Sequence, residues 1–294
     1  MVVGFAANKL KITNESTNLG LSGILMKIAL PSTVIMSMQR PFSVELLQNS
    51  GVVFIVTILT HFAAVCLGLF LCRIIGIQGR QKGVWLIALA FGNVSAMGFP
   101  VIEATLGADA LFYVSINNAV FFLLLPTLGV FLIQSKEKSE DLIKSRKFSV
   151  NAVFIAAVIG LILFLFSVRI PAALGDALSM ADRLTAPLSM IVIGGLLAQS
   201  SLKSVFAEIK LSILVMTKLL VIPLLVFFVS RLFISDGMIL GVVVYLSAMP
   251  SAALVAIYAE HYKSDTASAS NAVLMSTLFS PLTIPVISLV FSMS

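Results

Sequence analysis

The stretch "FGNVSAMGFPVIEATLG", from Phe91 to Gly107, interrupts a strongly apolar run with Asn93, Ser95, Pro100 and the two inner glycines. A proline inside a helix removes one N–H donor and clashes with the carbonyl one turn earlier, and glycine weakens a helix further. In hydrocarbon, each backbone polar group without a partner costs several kcal/mol. The stretch therefore predicts a helix that opens inside a membrane, where its freed backbone groups line a cavity rather than lipid.

The composition of the whole chain is that of a membrane protein. Its 294 residues are 59% hydrophobic and 11% charged, and the mean hydropathy is +1.10. A soluble domain is nearer half apolar and a quarter charged, so a soluble globular protein is excluded. The net charge of +6 comes from lysines and arginines in short loops, which indicates membrane topology rather than nucleic-acid binding. Cys66 and Cys72 form no metal-binding motif, and the sequence predicts neither a metal nor another cofactor.

Nine apolar stretches are long enough to cross a bilayer, which takes about 20 residues of helix. They lie near 20–38, 51–76, 83–107, 110–133, 148–168, 184–200, 210–230, 237–261 and 267–291. A stub, "MVVGFAA", precedes them and is too short to span. We therefore expect nine full spans plus a fragment of a tenth. We also expect the natural chain to carry roughly 12 to 20 further apolar residues before Met1, enough to complete a first helix.

The basic residues of the loops predict the orientation. If the loop Gln134–Lys147 faces the cytoplasm, the same side also receives Lys9, Lys11, Arg73, Arg80, Lys82, Lys203, Lys210 and Lys263. The opposite side receives only Arg40, Arg169, Arg183 and Arg231. Because basic loops stay in the cytoplasm, we expect a multi-pass protein of the plasma membrane with a cytoplasmic central loop. Counting the stub as a span, both termini of the full-length form are then extracellular.

An internal repeat relates the two halves of the chain. The triplet Ser95–Met97 recurs at Ser247–Met249, in each case shortly before a proline, Pro100 or Pro250. Each copy continues with an acidic residue, a polar turn and a span that contains a proline. A unit of five spans that is repeated once must be inverted, since an odd number of spans reverses the second copy. We predict a first repeat at 1–133 with an incomplete first helix, a short cytoplasmic loop at 134–147 and a second repeat at 148–294.

Two matching interruptions indicate a binding site more strongly than one would. A single proline or glycine in a membrane helix is commonly just a kink. Inverted repeats with interrupted helices at corresponding positions are typical of secondary transporters. Helix N-termini at such breaks carry partial positive charge and free N–H donors, which suit a carboxylate. The sequence therefore favours a carrier of small organic anions.

Four segments resemble the auxin efflux carrier family of transporters. "GNVSAMGFPVIEATLG" resembles the fourth span of that family, "LSAMPSAALVAIYAEHY" the ninth, "APLSMIVIGGLLAQ" the seventh, and "GFAANKLKITNESTNLGLSGILMKIALPS" the end of the first together with the second. The resemblance implies an all-α polytopic fold of ten spans in two inverted five-helix repeats, like that of bile-acid symporters, with broken fourth and ninth helices that cross at their prolines. Spans one, two, six and seven would form a scaffold, and the remaining spans a transport domain that moves as an elevator. The short central loop is similar to that of bacterial malate or organic-acid permeases.

The resemblance also identifies candidate substrate-binding residues. Asn93, Pro100 and Pro250 correspond to the family's asparagine and prolines in spans four and nine. A polar position of span five falls within Ser115–Asn118, so the candidate site is Asn93, Pro100, Pro250, Ser247, Asn117 and Asn118. Lys27 departs from the family pattern, in which an uncharged residue is expected.

Five ionisable residues within or near the spans are candidate proton or charge relays: Glu103, Glu260, Lys218, Lys27 and His61. Each also has a structural interpretation. Lys27 either extends to the interface or attracts a carboxylate, and the two glutamates are mainly interfacial. His61 either carries a proton or bonds to a backbone carbonyl. Lys218 lies deepest in its span, which makes it a functional candidate.

Several alternatives to an organic-anion carrier remain open at this point. No G-x-x-x-x-G-K-[ST] segment is present, so gradients or the membrane potential must drive transport. A sodium-coupled symporter of the same fold would use carboxylates beside the crossing. A membrane-embedded enzyme would need a catalytic motif that neither histidine belongs to, so the sequence predicts no enzyme, and a receptor that does not transport is a further alternative. The expected partners are a small organic anion and the lipid bilayer, with no nucleic acid, and the family leaves open a homodimer.

Overall fold

The computed structural model describes residues 2–134, 152–199 and 209–293. Most of the basic central loop and Lys203 lie outside the described residues. In the first half the helices are α1 (Val2–Lys9), α2 (Glu15–Ile24), α3 (Leu30–Ser37), α4 (Val44–Ile75), α5 (Gly79–Ala90), α6 (Phe99–Leu106), α7 (Leu111–Leu124) and α8 (Val130–Ile133). In the second half they are α9 (Ala152–Leu165), α10 (Ala172–Asp182), α11 (Thr185–Gln199), α12 (Ile209–Met216), α13 (Ile222–Ser230), α14 (Gly237–Ser247), α15 (Leu254–His261) and α16 (Thr266–Ser292). The predicted all-α fold is confirmed.

The helices lie where the sequence predicts spans, but several of these spans are not single continuous helices. Five continuous helical segments are long and apolar enough to cross a membrane: Ser16–Ser37, Val44–Ile75, Ala108–Ile133, Ile209–Ser230 and Thr266–Ser292. If the stub is counted as the first span, the predicted fourth and ninth spans (83–107 and 237–261) are each two helices with a break between them. The predicted sixth and seventh (148–168 and 184–200) correspond to α9 and α11. Helix α10 lies where the sequence predicted only a loop. It begins directly after Pro171, whose fixed φ suits the start of a helix.

Within the described residues four π-helical turns interrupt the spans, and each accompanies a proline. The turns are Leu25–Ala29, Val94–Gly98, Leu125–Gly129 and Thr217–Val221, and the prolines are Pro31, Pro100, Pro126 and Pro223. A proline ring cannot fit against the carbonyl four residues earlier, and it leaves that carbonyl without its N–H partner. A wider turn relieves the clash while the helix continues; Pro126 lies within its turn, and the other three prolines follow theirs.

One group of helices packs around α11. Helix α1 lies so close to α11 that a Cβ atom on Gly4 would overlap the backbone of Ile191. Gly195 of α11 is in similar contact with the Asn18 side chain of α2. Thr33 of α3 hydrogen-bonds Thr185 of α11 at 2.7 Å. Small residues thus let these helices approach without large apolar side chains between them.

A second group consists of α4 to α8 with α12 to α16, and it contains both breaks. It contacts α3, α9 and α11, and at α3 the Ser37 side chain hydrogen-bonds Ser115 of α7 at 2.9 Å within a buried contact. The aromatic rings of Phe91, Phe112 and Phe121 fill the interior of the second group. The helix breaks therefore lie within protein rather than against lipid.

Loops contact one another at two ends of the structure. At one end Arg40 forms an ion pair with Asp109 at 2.7 Å, and Gln39 accepts a hydrogen bond from the Ile170 backbone. At the other end Ser264 donates to the Arg80 carbonyl and Gln81 donates to Ser268. Loops that the sequence assigned to the same side of the membrane are thus in contact.

A candidate binding site where two broken helices cross

The two breaks meet as a short antiparallel contact between backbones. The first crossing segment, Phe91–Asn93, lies between α5 and the π-helical turn before α6, and the second, Ala248–Ala253, lies between α14 and α15. Gly92 pairs with Ser251, Asn93 N–H donates to the Pro250 carbonyl at 2.7 Å, and Ala252 N–H donates to the Phe91 carbonyl at 3.0 Å. Backbone groups that each break frees therefore find partners in the other break, which hydrocarbon could not supply.

The close approach of the two crossing segments leaves little room for a side chain at Gly92. A Cβ atom at Gly92 would lie 3.3 Å from the Met249 carbonyl oxygen and 3.4 Å from Lys218 Nζ. Both distances are tight, and a larger side chain would separate the segments. The glycine that opens the helix therefore also permits the crossing.

The carboxyl-terminal end of α5 is capped by side chains from the second half of the chain. Ser251 Oγ donates to the Ala88 carbonyl at 2.8 Å, and Lys218 Nζ donates to the Leu89 carbonyl at 3.0 Å. The last carbonyls of a helix lack partners within the helix and carry partial negative charge, which favours a cation. Lys218 is 2% exposed, and no carboxylate contacts it among the described residues.

A small cavity lies between this lysine and the crossing, with a volume of about 20 Å³. Its lining includes Thr57, His61, Gly92, Asn117, Lys218 and Ser247. One water, or a group of about that size, fits such a volume. Since the described lining has a cation, the Asn117 amide and hydroxyls but no acidic side chain, it suits an anionic group.

The structure brings Asn93, Ser247 and Pro250 together at the crossing. The Asn93 side-chain oxygen accepts a hydrogen bond from Ala96 N–H at 3.3 Å, so Asn93 caps the following turn. The Asn93 Nδ2 has no acceptor among the described residues, and the side chain is only partly buried. Ser247 lines the cavity and donates to the Val244 carbonyl.

Asn117 and Asn118 of α7 both lie near the crossing, and each hydrogen-bonds a different neighbouring side chain. Asn117 Nδ2 donates to Thr57 Oγ1 at 2.8 Å, and Asn118 Oδ1 accepts from Ser95 Oγ at 2.8 Å. Asn117 Oδ1 and Asn118 Nδ2 are buried without a hydrogen-bond partner. Buried polar atoms of this kind cost free energy unless a ligand or water pairs with them.

His61 is tied to its own helix, as its structural interpretation predicted. Its Nδ1 lies 2.7 Å from the Thr57 carbonyl oxygen, and its ring packs edge-on against Phe91. The Nε2 atom is buried without a partner and the residue lines the cavity. His61 is therefore placed to contact a ligand as well as to pack.

We expected both broken helices to cross at their prolines, but Pro100 does not lie at the crossing. The first helix crosses at Gly92 and Asn93, whereas Pro100 is the second residue of α6. At that position its missing N–H costs little, and the π-helical turn before it absorbs the clash of its ring. Only Pro250 lies at the crossing itself.

Lys27 and Glu103 are not part of the described cavity lining. Lys27 and Glu103 are exposed on the π-helical turn before α3 and on α6, and the position of the Glu260 side chain is outside the description. Within residues 2–134, 152–199 and 209–293, no three His, Cys, Asp or Glu side chains come together as a metal site would require. Of the four predicted relay residues whose side chains are described, Lys218 and His61 line the cavity.

Sequence reasoning missed Thr57, Ser251 and Ser276. Ser276 Oγ accepts the Ser251 N–H at 3.0 Å and so supports the second crossing segment. Thr57 precedes His61 by one helical turn, a spacing that places both on one face and could have identified it. Ser276 gave no comparable signal, because its role depends on how α16 packs.

A family model for membrane transport proteins matches the chain twice, over residues 1–149 and 142–288. Together the two matches cover nearly the whole chain, one for each half. The chain belongs to the membrane transport protein family. This is the auxin efflux carrier family that the span-four motif resembles, so that prediction is confirmed. The double match also agrees with the internal repeat.

Relatives in this membrane transport protein family extend over almost the full chain. An uncharacterized transporter of Methanocaldococcus jannaschii is 25% identical over 298 residues, covering 97% of this chain and 93% of the relative. An uncharacterized transporter of Methanothermobacter thermautotrophicus is 24% identical over 294 residues, covering 99% and 94%. The chain is thus a multi-pass membrane transporter of this family.

Proposed function

We propose that the chain is a secondary transporter of small organic anions, and that the crossing is where the carboxylate binds. The observation that supports this most directly is Lys218, a buried cation beside the crossing with no carboxylate against it among the described residues. A charged side chain at membrane depth is costly unless it has a partner or a function. A carboxylate from the substrate supplies the missing charge.

The neighbours of Lys218 support an anion rather than a coupled sodium ion. The cavity lining offers the charge of Lys218 and the hydroxyl groups of Thr57 and Thr60. Sodium is bound by oxygen ligands, commonly carboxylates, and the described residues of the cavity lining include no Asp or Glu. The Lys218 charge lies where such an ion would be repelled.

Movement of the crossing would carry the anion across the membrane. The second helix group holds both breaks and meets the first through few polar contacts such as Ser37–Ser115. This arrangement supports an elevator in which the second group slides against a scaffold of α1 to α3 with α9 and α11. For a cell that is negative inside, each anionic charge gains about 2.3 kcal/mol per 100 mV on leaving, so export needs no coupled ion.

Flux into vesicles tests the proposed function. Purified protein in liposomes preloaded with unlabelled malate or indole-3-acetate is expected to accumulate the same labelled compound by exchange, without nucleotide. Protein-free liposomes processed in parallel are the control. If neither compound enters faster than into those liposomes, a transporter of organic anions is the wrong proposal.

The proposed orientation places the α4–α5 loop in the cytoplasm and the α3–α4 loop outside, because Arg73, Arg80 and Lys82 flank the first loop whereas the second holds Arg40 alone. Gln78 and Phe42 are exposed positions in these two loops. In a background with Cys66→Ala and Cys72→Ala, a cysteine at Phe42 should react with an impermeant reagent added to intact cells. A cysteine at Gln78 should react only after the cells are opened. The reverse pattern would invert the topology.

A further inference from the structure

A basic pocket of about 510 Å³ lies at the turn between α4 and α5. Its volume is within the roughly 300–1,000 Å³ that small-molecule sites occupy. It is formed by the last turns of α4, the turn itself and the start of α5, and its lining includes Leu69, Arg73, Gly76, Gln78, Gly79 and Lys82. No residue of its described lining also lines the cavity at the crossing. We refer to this separate space as the interfacial pocket.

The polar side chains of the interfacial pocket are suited to an anion. Arg73 and Lys82 are both exposed, and neither forms an ion pair with any residue that the structure describes. The Gln78 side chain makes no capping hydrogen bond to α5, so its amide is available to a ligand. The described lining contains no Asp or Glu. A guanidinium and an ammonium group on one pocket suit a phosphate, which accepts charge-assisted hydrogen bonds from both.

Successive turns of α4 give the interfacial pocket an apolar side and a charged side. Leu69, Arg73 and Gly76 are four and three residues apart, so they share one face of α4, with a rise of about 5–6 Å from each to the next. Leu69 is 40% exposed within the apolar span, whereas Arg73 lies in the last turn of the helix. Acyl chain and phosphate follow one another in the same order at a membrane surface, so a phospholipid fits both sides of the pocket, whereas a free phosphate ion would use only one.

The turn also leaves room for a headgroup beside its backbone. Gly76 and Gly79 have φ angles of 72° and 60°, a conformation that favours glycine. A Cβ atom on either residue would meet no atom within 4 Å. The absence of side chains at both positions therefore keeps the polar end of the interfacial pocket open.

We propose that the interfacial pocket binds an anionic phospholipid, with its phosphate between Arg73 and Lys82 and its acyl chains along Leu69. Basic loops are common on the cytoplasmic side of membrane proteins, but here two of the charges face one space of ligand size. The cytoplasmic leaflet, where the proposed orientation places this turn, carries the anionic lipids of a plasma membrane. The proposal concerns a site away from the crossing and does not depend on which compound is transported.

Competition binding tests this inference. Binding of radiolabelled short-chain phosphatidylglycerol to the purified protein in neutral detergent is measured, with unlabelled phosphatidylcholine and inorganic phosphate as competitors. Both are expected to compete more weakly than unlabelled phosphatidylglycerol, because the first has no net charge and the second has no acyl chain. Arg73→Gln and Lys82→Gln should each lower the affinity for phosphatidylglycerol about fivefold, and the double variant about 25-fold.

Two further double variants serve as controls. Lys11→Gln with Lys263→Gln removes two exposed charges that the sequence assigns to the same side of the membrane but that lie outside the pocket, so the affinity should stay within about twofold of the wild type. Arg73→Lys with Lys82→Arg retains both charges and should keep the affinity within about threefold. A loss of binding there as large as in the glutamine pair would mean that altered folding, not charge, causes the effect.

Three results would overturn the inference. If the glutamine pair at Arg73 and Lys82 binds phosphatidylglycerol as tightly as the wild type, the interfacial pocket is not the lipid site. If the control pair at Lys11 and Lys263 lowers the affinity equally, the lipid responds to the overall charge of that side. If inorganic phosphate competes as well as phosphatidylglycerol does, the ligand is a free phosphate rather than a lipid. Since no transport is measured, none of these results bears on the proposed function.

Discussion

Lys218→Met is expected to lower carboxylate affinity about a hundredfold or more. Methionine keeps the length and much of the packing of the lysine but removes the positive charge that faces the cavity. Removing one partner of a buried ion pair typically costs about 3–5 kcal/mol, and every 1.4 kcal/mol is tenfold in affinity. Equilibrium binding of labelled indole-3-acetate, with exchange in liposomes beside it, measures the loss.

The matched control for this change is Lys210→Met on the same span. Lys210 begins the first turn of α12, is only partly buried and does not line the cavity. Its replacement should leave affinity within about twofold of the wild type, because surface substitutions rarely alter a distant site. If Lys218→Met binds as tightly as the wild type and remains folded, the lysine is only a cap for the Leu89 carbonyl.

Asn93→Ala is expected to weaken binding by about ten- to hundredfold. Its Nδ2 has no acceptor within the described structure, and it lies next to the backbone contact at Gly92 and Pro250. Losing a hydrogen bond to a charged ligand costs about 1.5–3 kcal/mol. The same substitution also removes the cap on Ala96 N–H, which lowers the free energy of unfolding by about 1 kcal/mol.

Asn93→Asp separates these two effects. Aspartate caps a helix as well as asparagine does, so the thermal stability of the protein in detergent should stay close to that of the wild type. It lacks the amide donor and repels a carboxylate, so binding should be at least as weak as in Asn93→Ala. If Asn93→Asp binds normally, Asn93 serves as a cap and the carboxylate lies elsewhere.

The membrane fold and its repeat could be predicted from the sequence because they depend on local properties. Apolar runs of about 20 residues specify helices across a bilayer whatever their neighbours are. Proline and glycine act on their own helix, so the breaks near Gly92 and Pro250 were visible before any packing was known. The family motif around Asn93 placed the candidate site at the same helix break for the same reason.

The position of the crossing depended on packing. The sequence suggested Pro100, but a wider turn absorbs that proline and the backbones meet at Gly92 and Asn93. A helix can accommodate a proline by such a turn or by a break. Which of the two forms depends on which neighbouring segment can approach the helix backbone. Ser251 and Ser276 became recognisable only because their partners lie on other helices.

The sequence by itself determined that this protein is a helical membrane transporter with two related halves, since hydrophobic length, charge in the loops and helix-breaking residues act through the local chain and its solvent. Only the tertiary structure decided which polar groups meet. Lys218 and Leu89 are 129 residues apart, and a groove that lies between α4 and α13 is lined by residues from opposite halves of the chain. The energy of a buried charge or a cavity depends on what surrounds it from every direction, and a linear sequence does not contain that information.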